Sequence, residues 1–192
     1  YPFSLAQINN SGDISVNVSG STLLSAGIYH QIITSFTNTG NIRVNSTGIN
    51  SSGLAGILLD PEAVFTNDGT GGKKISASGA KATGVFANGN TTNTIKNTKI
   101  EASSGGIGIF SYNGSDVKLD NITGEASSGG VLFYAADTPT ASKITFSTPS
   151  TANIKSNGIG FYLDGSLSLV ANYYNNLNNL TLKMDDNSAI FL

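Results

Sequence analysis

The chain contains no cysteine and no tryptophan, one histidine and only four prolines among its 192 residues. Without cysteine, neither a disulfide framework nor a thiolate metal site can hold the fold together. Charged side chains are also scarce, at 11% against roughly 25% in an average soluble domain. The ten basic and twelve acidic residues are dispersed and leave a formal charge of −2. This distribution argues against a nucleic-acid partner, which would select clustered cations.

Long apolar runs are missing as well. No segment approaches the roughly 20 apolar residues that a membrane-spanning helix requires. No window shows a sustained 3.6-residue apolar period, which argues against solenoids built from helical repeats. The sequence does contain 39% apolar residues and 23 glycines. We therefore expect a folded all-β chain with a buried core.

A short Gly-apolar-aromatic element recurs along the whole chain at spacings of 29, 28, 24, 24, 28 and 29 residues. A second repeat fixes the register in the middle, because Glu101-Ala-Ser-Ser-Gly-Gly106 returns 24 residues later as Glu125-Ala-Ser-Ser-Gly-Gly130. The copies of the first element are Gly27-Ile28-Tyr29, Gly56-Ile57-Leu58, Gly84-Val85-Phe86, Gly108-Ile109-Phe110, Leu132-Phe133-Tyr134, Gly160-Phe161-Tyr162 and Ala189-Ile190-Phe191.

Between these elements, each repeat contains two more short segments of alternating polar and apolar residues, separated by Asn, Gly, Ser and Thr. Period-two alternation indicates strands, and the separators are turn formers. Three short strands in a repeat of 22–30 residues predict one turn of a right-handed parallel β-helix, a solenoid. We expect about seven turns, with residues 1–192 forming a single segment of a longer protein.

The strand that carries the repeated element has two faces of different character. Its aliphatic parity is predicted to face the core, and comprises Ile28, Ile57, Val85, Ile109, Phe133, Phe161 and Ile190. The anchor glycines and the rings lie on the other parity, which we predict to face solvent. An exposed apolar stripe usually marks an interface. The candidate binding residues are therefore Tyr29, Leu58, Phe86, Phe110, Tyr134, Tyr162 and Phe191.

Two alternatives remain for this column of rings: they form the core, or they only stack on one another. A second candidate binding patch is formed by Tyr173 and Tyr174, in the densest Tyr/Asn segment of the chain. The alternative there is an asparagine-lined corner without a ligand.

Glu101 and Glu125 occupy equivalent positions in successive turns, and paired carboxylates are what a glycoside hydrolase needs. Their sequence neighbours are serines and glycines rather than further acidic or basic groups. We therefore favour solvated turn positions neutralised by Lys99 or Lys118, and predict no enzymatic activity. A carbohydrate-active enzyme built on a β-helix is the alternative.

Cofactor and metal sites are not indicated. Asp60-Pro61-Glu62 and Asp185-Asp186-Asn187 offer oxygen ligands for calcium, but the Gly-Gly-x-Gly-x-Asp repeat of calcium-binding β-rolls does not occur. The single histidine, His30, has no partner ligands at metal-binding spacing and is expected to be structural. We predict no cofactor and no bound metal.

Three segments resemble the passenger repeats of type V autotransporters, especially those of large fusobacterial outer-membrane adhesins: Gly27-Ile-Tyr29, Thr37-Asn-Thr-Gly-Asn-Ile42 and Asn153-Ile-Lys-Ser-Asn-Gly-Ile-Gly-Phe-Tyr162. The resemblance implies a passenger domain at the bacterial cell surface, from a precursor with an N-terminal signal and a C-terminal translocating β-barrel as its only membrane contact. It implies an adhesin that binds a host or bacterial surface protein or glycan. A purely structural spacer of the rod is the alternative, because this architecture carries many functions.

Overall fold

The computed structural model of the chain describes residues 7–19, 25–31, 35–47, 53–89, 92–136, 140–165 and 177–190. Within these ranges the regular structure consists of nineteen β-strands and contains no α-helix. The strands are four to seven residues long. Turn formers interrupt the alternating pattern after each strand, which keeps the strands this short.

The strands form three parallel sheets that run along one axis. The first sheet contains β1 (Gln7–Asn10), β4 (Ser35–Asn38), β7 (Val64–Asp68), β10 (Thr92–Lys96), β13 (Asp116–Asp120) and β16 (Lys143–Phe146). The second contains β2 (Ile14–Val18), β5 (Ile42–Ser46), β8 (Lys74–Ser78), β11 (Lys99–Ser103), β14 (Thr123–Ser127), β17 (Ser150–Ile154) and β19 (Leu180–Met184). The third contains β3 (Ser25–His30), β6 (Leu54–Leu59), β9 (Ala82–Asn88), β12 (Ile107–Tyr112), β15 (Val131–Ala136) and β18 (Ile159–Asp164).

Each strand pairs with the equivalent strand of the next turn. Val85 pairs with Ile57 on one side and with Ile109 on the other. One repeat of sequence thus becomes one inter-strand step of about 4.8 Å. Three strands per turn are confirmed, and the described residues contain six sets of three strands, one from each sheet, and the further strand β19.

Columns of like side chains fill the interior. Five of the seven residues predicted to face the core are 0% exposed: Ile57, Val85, Ile109, Phe133 and Phe161. Ile28 and Ile190, which lie in the first and last copies of the repeated element, are only partly buried. The next inward position is buried too, and there His30 lies with its ring centroid 5.9 Å from that of Phe36. These residues join one continuous apolar cluster along the axis. Apolar burial between neighbouring turns is therefore the main stabilising contribution.

The anchor glycines do not share the outward face, which corrects the parity prediction for them. A β-carbon built on Gly108 would lie 2.6 Å from the Cγ2 atom of inward-facing Ile100. At the equivalent place in the next turn, Leu132 and Phe133 are both fully buried. The strand therefore has two consecutive inward positions, and strict alternation is interrupted there.

The last copy of the repeated element is shifted by one residue from the predicted alignment. Ala189 forms a parallel bridge with Ile159, whereas the repeat placed it opposite Gly160. The preceding strand pair already accounts for the extra residue, because Ser150 pairs with Leu180, 30 positions away.

Asparagines line the corner after the first sheet and satisfy each other along the axis. Asn10 Nδ2 donates to Asn38 Oδ1, and Asn38 Nδ2 donates to Asn67 Oδ1, both at 2.7 Å. Asn67 Nδ2 then donates to Thr98 Oγ1 at 2.9 Å. Because a buried amide left without a partner costs about 1–3 kcal/mol, this ladder fixes the corners of the first four turns in register with one another.

Candidate functional site

The predicted binding residues lie on the outward face of the third sheet, where register places them directly over one another. We call this set the aromatic column: Tyr29, Leu58, Phe86, Phe110, Tyr134 and Tyr162. Tyr29 is 51% exposed and the other members are half-buried. The structure thus contradicts the alternative in which these rings form the core. Phe191, Tyr173 and Tyr174 lie outside the described residues.

The rings contact one another in sequence along the axis. Phe86 meets Phe110 edge to face at 4.8 Å between centroids, and Phe110 meets Tyr134 at 4.3 Å. Tyr134 and Tyr162 are stacked at 4.8 Å with an interplanar angle of 14°. Aromatic pairs contribute about 0.5–1.5 kcal/mol each beyond their burial. The aromatic column therefore stabilises the turns and leaves an apolar stripe partly accessible to solvent.

Two aspartates beside the aromatic column each accept a hydrogen bond from a tyrosine of the preceding turn. Tyr29 OH donates to Asp60 Oδ2 at 3.0 Å, and Tyr134 OH donates to Asp164 Oδ2 at 2.7 Å. Burial and the hydrogen bond to Asp164 together raise the pKa of Tyr134 above its usual value, so this tyrosine remains a neutral donor. The outward orientation of these aspartates follows from parity, but their pairing with tyrosines some 30 residues earlier does not.

A groove of about 560 Å³ follows one end of the aromatic column. Its walls and floor include four members of the column, Tyr29, Leu58, Phe86 and Phe110. A second row of lining residues lies three positions before a member of the aromatic column in three successive turns. It comprises Ala55, Thr83 and Ile107. Asp60, Lys81 and Asn88 provide the polar rim.

Sequence reasoning identified the rings but missed the second row. In a strictly alternating strand, the residues two and four positions before a ring lie on the same face as the ring. Here the anchor glycine adds a second inward position, so the outward residue lies three positions before the ring instead. The signal that could have found this row was Leu132, an apolar residue in the place of an anchor glycine.

The acidic pair lies on the second sheet, away from the groove. Glu101 and Glu125 are register partners on β11 and β14. Lys74 and Lys99 contact Glu101 at 2.7 and 2.6 Å between charged atoms. Lys155 contacts Glu125 at 2.8 Å, and Lys99 also lies 3.8 Å from it. The two carboxylates are thus bridged and flanked by ammonium groups.

These ion pairs determine the protonation of Glu101. Partial burial raises its pKa, but the hydrogen bonds and charges of Lys74 and Lys99 outweigh burial, and the pKa lies below its ordinary value. A general acid in glycoside hydrolysis requires the opposite shift. The expected contact with Lys99 is confirmed; the alternative with Lys118 is wrong, because Lys118 lies on β13 in the first sheet. Both glutamates lie on strands rather than in turns.

Within the described ranges, no three residues among His, Cys, Asp and Glu are grouped so that they could hold a metal ion. The same part of the chain contains no helix long and apolar enough to cross a membrane.

Comparison with known families identifies the architecture. A family model described as a right-handed β-helix region matches residues 55–192. No curated protein and no solved structure matches the chain. Together with the three parallel sheets, the match confirms the predicted right-handed β-helix.

Proposed function

Since this chain belongs to the family of right-handed β-helix regions, its three sheets form a rod, and we propose that this rod is a non-catalytic segment of a bacterial cell-surface adhesin. Its third sheet presents the aromatic column to surface molecules of a host cell or another bacterium. The observation that carries this proposal is the position of the rings. Four aromatic residues in successive turns lie on the outer face, where solubility alone would select polar side chains.

The other two sheets support the choice of face. The outward side of the second sheet carries the ion pairs of Glu101 and Glu125, and that of the first sheet carries residues such as Thr66, Thr94 and Lys118. Hydroxyls and paired charges are well solvated and provide little apolar area for a partner. The third sheet is the face on which an interaction would release the most water from apolar surface.

A non-catalytic role is supported by the state of the paired glutamates. Lysines hold Glu101 as a carboxylate, which suits a stabilising ion-pair network rather than proton transfer to a leaving group. The resemblance to autotransporter passengers supports an extracellular location on the bacterial surface.

Binding of the purified chain to cultured epithelial cells and to bacterial cells tests the proposal. The test variant carries Phe86→Ser and Phe110→Ser, which remove the centre of the aromatic column. The matched control carries Thr94→Ser and Lys118→Ser, on the outward side of the first sheet, in the strands that directly follow β9 and β12 along the chain. We expect the test variant to lose about tenfold or more in apparent affinity, because central aromatic residues dominate interfaces.

The control variant should bind like the wild type, and circular dichroism must show that both variants fold. A wild-type chain that binds no cells would refute the proposal and favour the spacer function. Equal loss in both variants would show that binding does not depend on the aromatic column.

A further inference from the structure

We infer that the groove beside Tyr29, Leu58, Phe86 and Phe110 binds a short oligosaccharide, with sugar rings against the apolar floor and hydroxyls bonded to Asp60 and Asn88. This inference rests on the proposed function and names its ligand class. The groove lies on the same face as the aromatic column, but it occupies only the turns between Tyr29 and Phe110.

The shape of the groove suits a short, linear ligand. Its ring-bearing wall takes one residue from each of four successive turns, so the groove crosses the strands and follows the axis. Three inter-strand steps give a length of about 14 Å. A volume of about 560 Å³ lies within the range of roughly 300–1,000 Å³ that small-molecule sites occupy.

The floor offers apolar contact without excluding polar groups. Phe86 and Phe110 meet edge to face at an interplanar angle of 79°, and both contribute ring surface to the groove. Leu58 and Ile107 extend the apolar surface on either side. Sugar rings have one apolar C–H face and a rim of hydroxyls, and they pack their apolar face on such a surface while the rim stays polar.

The rim supplies both acceptors and donors for hydroxyl groups. Asp60 uses one carboxylate oxygen to accept from Tyr29, and Asn88 accepts from Asn113 Nδ2 at 3.2 Å. Toward the described residues, Asp60 Oδ1, Asn88 Nδ2 and the Lys81 ammonium form no hydrogen bond or ion pair. Neighbouring hydroxyls of a sugar can therefore bond to a carboxylate and an amide one strand step apart.

An extended peptide is a poor occupant of this groove. Recognition by strand addition needs a sheet edge with unpaired backbone groups, whereas three of the four strands that line the groove, β6, β9 and β12, pair on both sides, and only β3 is terminal in the described sheet. A peptide laid over the apolar floor would leave its own amides without partners, which costs about 1–3 kcal/mol for each buried group.

A second protein chain is also a poor fit for the groove alone. A six-residue strand is about 20 Å long, so the face over the groove covers roughly 280 Å². A stable protein interface buries about 800 Å² on each partner. The groove provides only about a third of that area, which favours a small ligand.

Isothermal titration calorimetry and saturation-transfer NMR with cellotriose, chitotriose and sialyllactose test the inference, and trileucine serves as the peptide probe. Asp60→Asn is the main variant. Asp164→Asn is its matched control, because Asp164 bonds a tyrosine of the aromatic column in the same way but lies outside the groove. We expect at least one sugar to bind, with affinity reduced about tenfold by Asp60→Asn and unchanged by Asp164→Asn.

Lys81→Gln separates the sugar classes: it should weaken sialyllactose and leave the neutral sugars unchanged if the ligand is acidic. Binding of trileucine alone, equal loss in both aspartate variants, or no binding of any sugar would overturn the inference. If cell binding still depends on Phe86 and Phe110 in that case, the adhesin proposal stands with a different ligand. If cell binding is absent as well, both fail.

Discussion

At one corner of the solenoid, a large and a small residue that face each other change places in one turn. In the first four turns the anchor glycine faces an isoleucine from one register column of the second sheet, as Gly108 faces Ile100. In the sixth turn Gly160 faces Ile154, two residues further along its strand. In the fifth turn the sizes are reversed, because Leu132 takes the glycine position and Gly124 takes the isoleucine position. A β-carbon on Gly124 would lie 2.8 Å from Leu132 Cδ1. The same interior volume is thus filled from the second sheet or from the third, and never from both.

This arrangement predicts strong coupling between Gly124→Ile and Leu132→Gly. Leu132→Gly removes a fully buried side chain and should destabilise by about 3–6 kcal/mol, from the Leu→Ala range plus the backbone freedom of glycine. Gly124→Ile alone overpacks the corner and should cost about 1–3 kcal/mol. The double variant restores the pattern of the first four turns, so we expect it within about 2 kcal/mol of wild type, well short of the sum.

Urea unfolding followed by far-ultraviolet circular dichroism measures the coupling. With a slope of about 2 kcal/mol per molar, the double variant should unfold at least about 0.5 M later than Leu132→Gly alone. The control cycle combines Leu132→Gly with Ile42→Val, three turns away, and should be additive within about 0.5 kcal/mol. Additive effects of Gly124→Ile and Leu132→Gly would refute the shared-volume explanation.

Three further predictions concern stability. In urea, Gly56→Ala should destabilise the fold more than Gly160→Ala. A β-carbon on Gly56 would lie 2.7 Å from the Gly84 carbonyl oxygen, whereas the atom nearest to a β-carbon on Gly160 would be 3.3 Å away. Equal urea midpoints of the two variants would contradict this prediction. Glu101→Gln should reduce the loss of stability between pH 7 and about pH 3. The folded-state pKa of Glu101 lies below the ordinary 4.5, so its ionised carboxylate stabilises the fold above pH 4.5, and this contribution is lost as the pH falls through the lowered pKa. An unchanged pH profile of the urea midpoint would count against this prediction. Asn38→Ala should cost about 1–3 kcal/mol and speed hydrogen exchange in the adjoining turns, since it removes the donor to Asn67 Oδ1 and to the Gly40 carbonyl, which are both buried; unaltered exchange would show that the ladder contributes little.

The fold was predictable because a β-helix converts sequence period directly into contact. The recurring Gly-apolar-aromatic element predicted the pairing of Ile57 with Val85, and the second repeat predicted the pairing of Glu101 with Glu125. Side-chain parity then separated interior from exterior on the third sheet. The kink at the anchor position was not predictable from parity, because glycine has no side chain whose burial would reveal its direction.

The candidate site was predictable only where it repeats. Rings at equal positions in successive turns must stack, and Phe86, Phe110 and Tyr134 do so. The residues at the rim of the groove repeat less regularly. Asp60 and Asn88 are different residue types, and Lys81 lies in a turn with its own backbone φ at 63°. Such residues come together through the local path of each turn, which no periodic alignment contains.

The irregular positions are where a solenoid can acquire a function without losing its fold. An inward substitution changes the packing between the sheets of its own turn, as the exchange between Gly124 and Leu132 illustrates, and therefore needs a compensating change. An outward residue such as Asp60 has its side-chain bond on the surface and leaves the inward columns untouched. Stability therefore constrains the repeat, whereas recognition is free to vary along the outer faces. If the adhesin proposal holds, we expect binding specificity to reside in the departures from the repeat on the third sheet, such as those that line the groove.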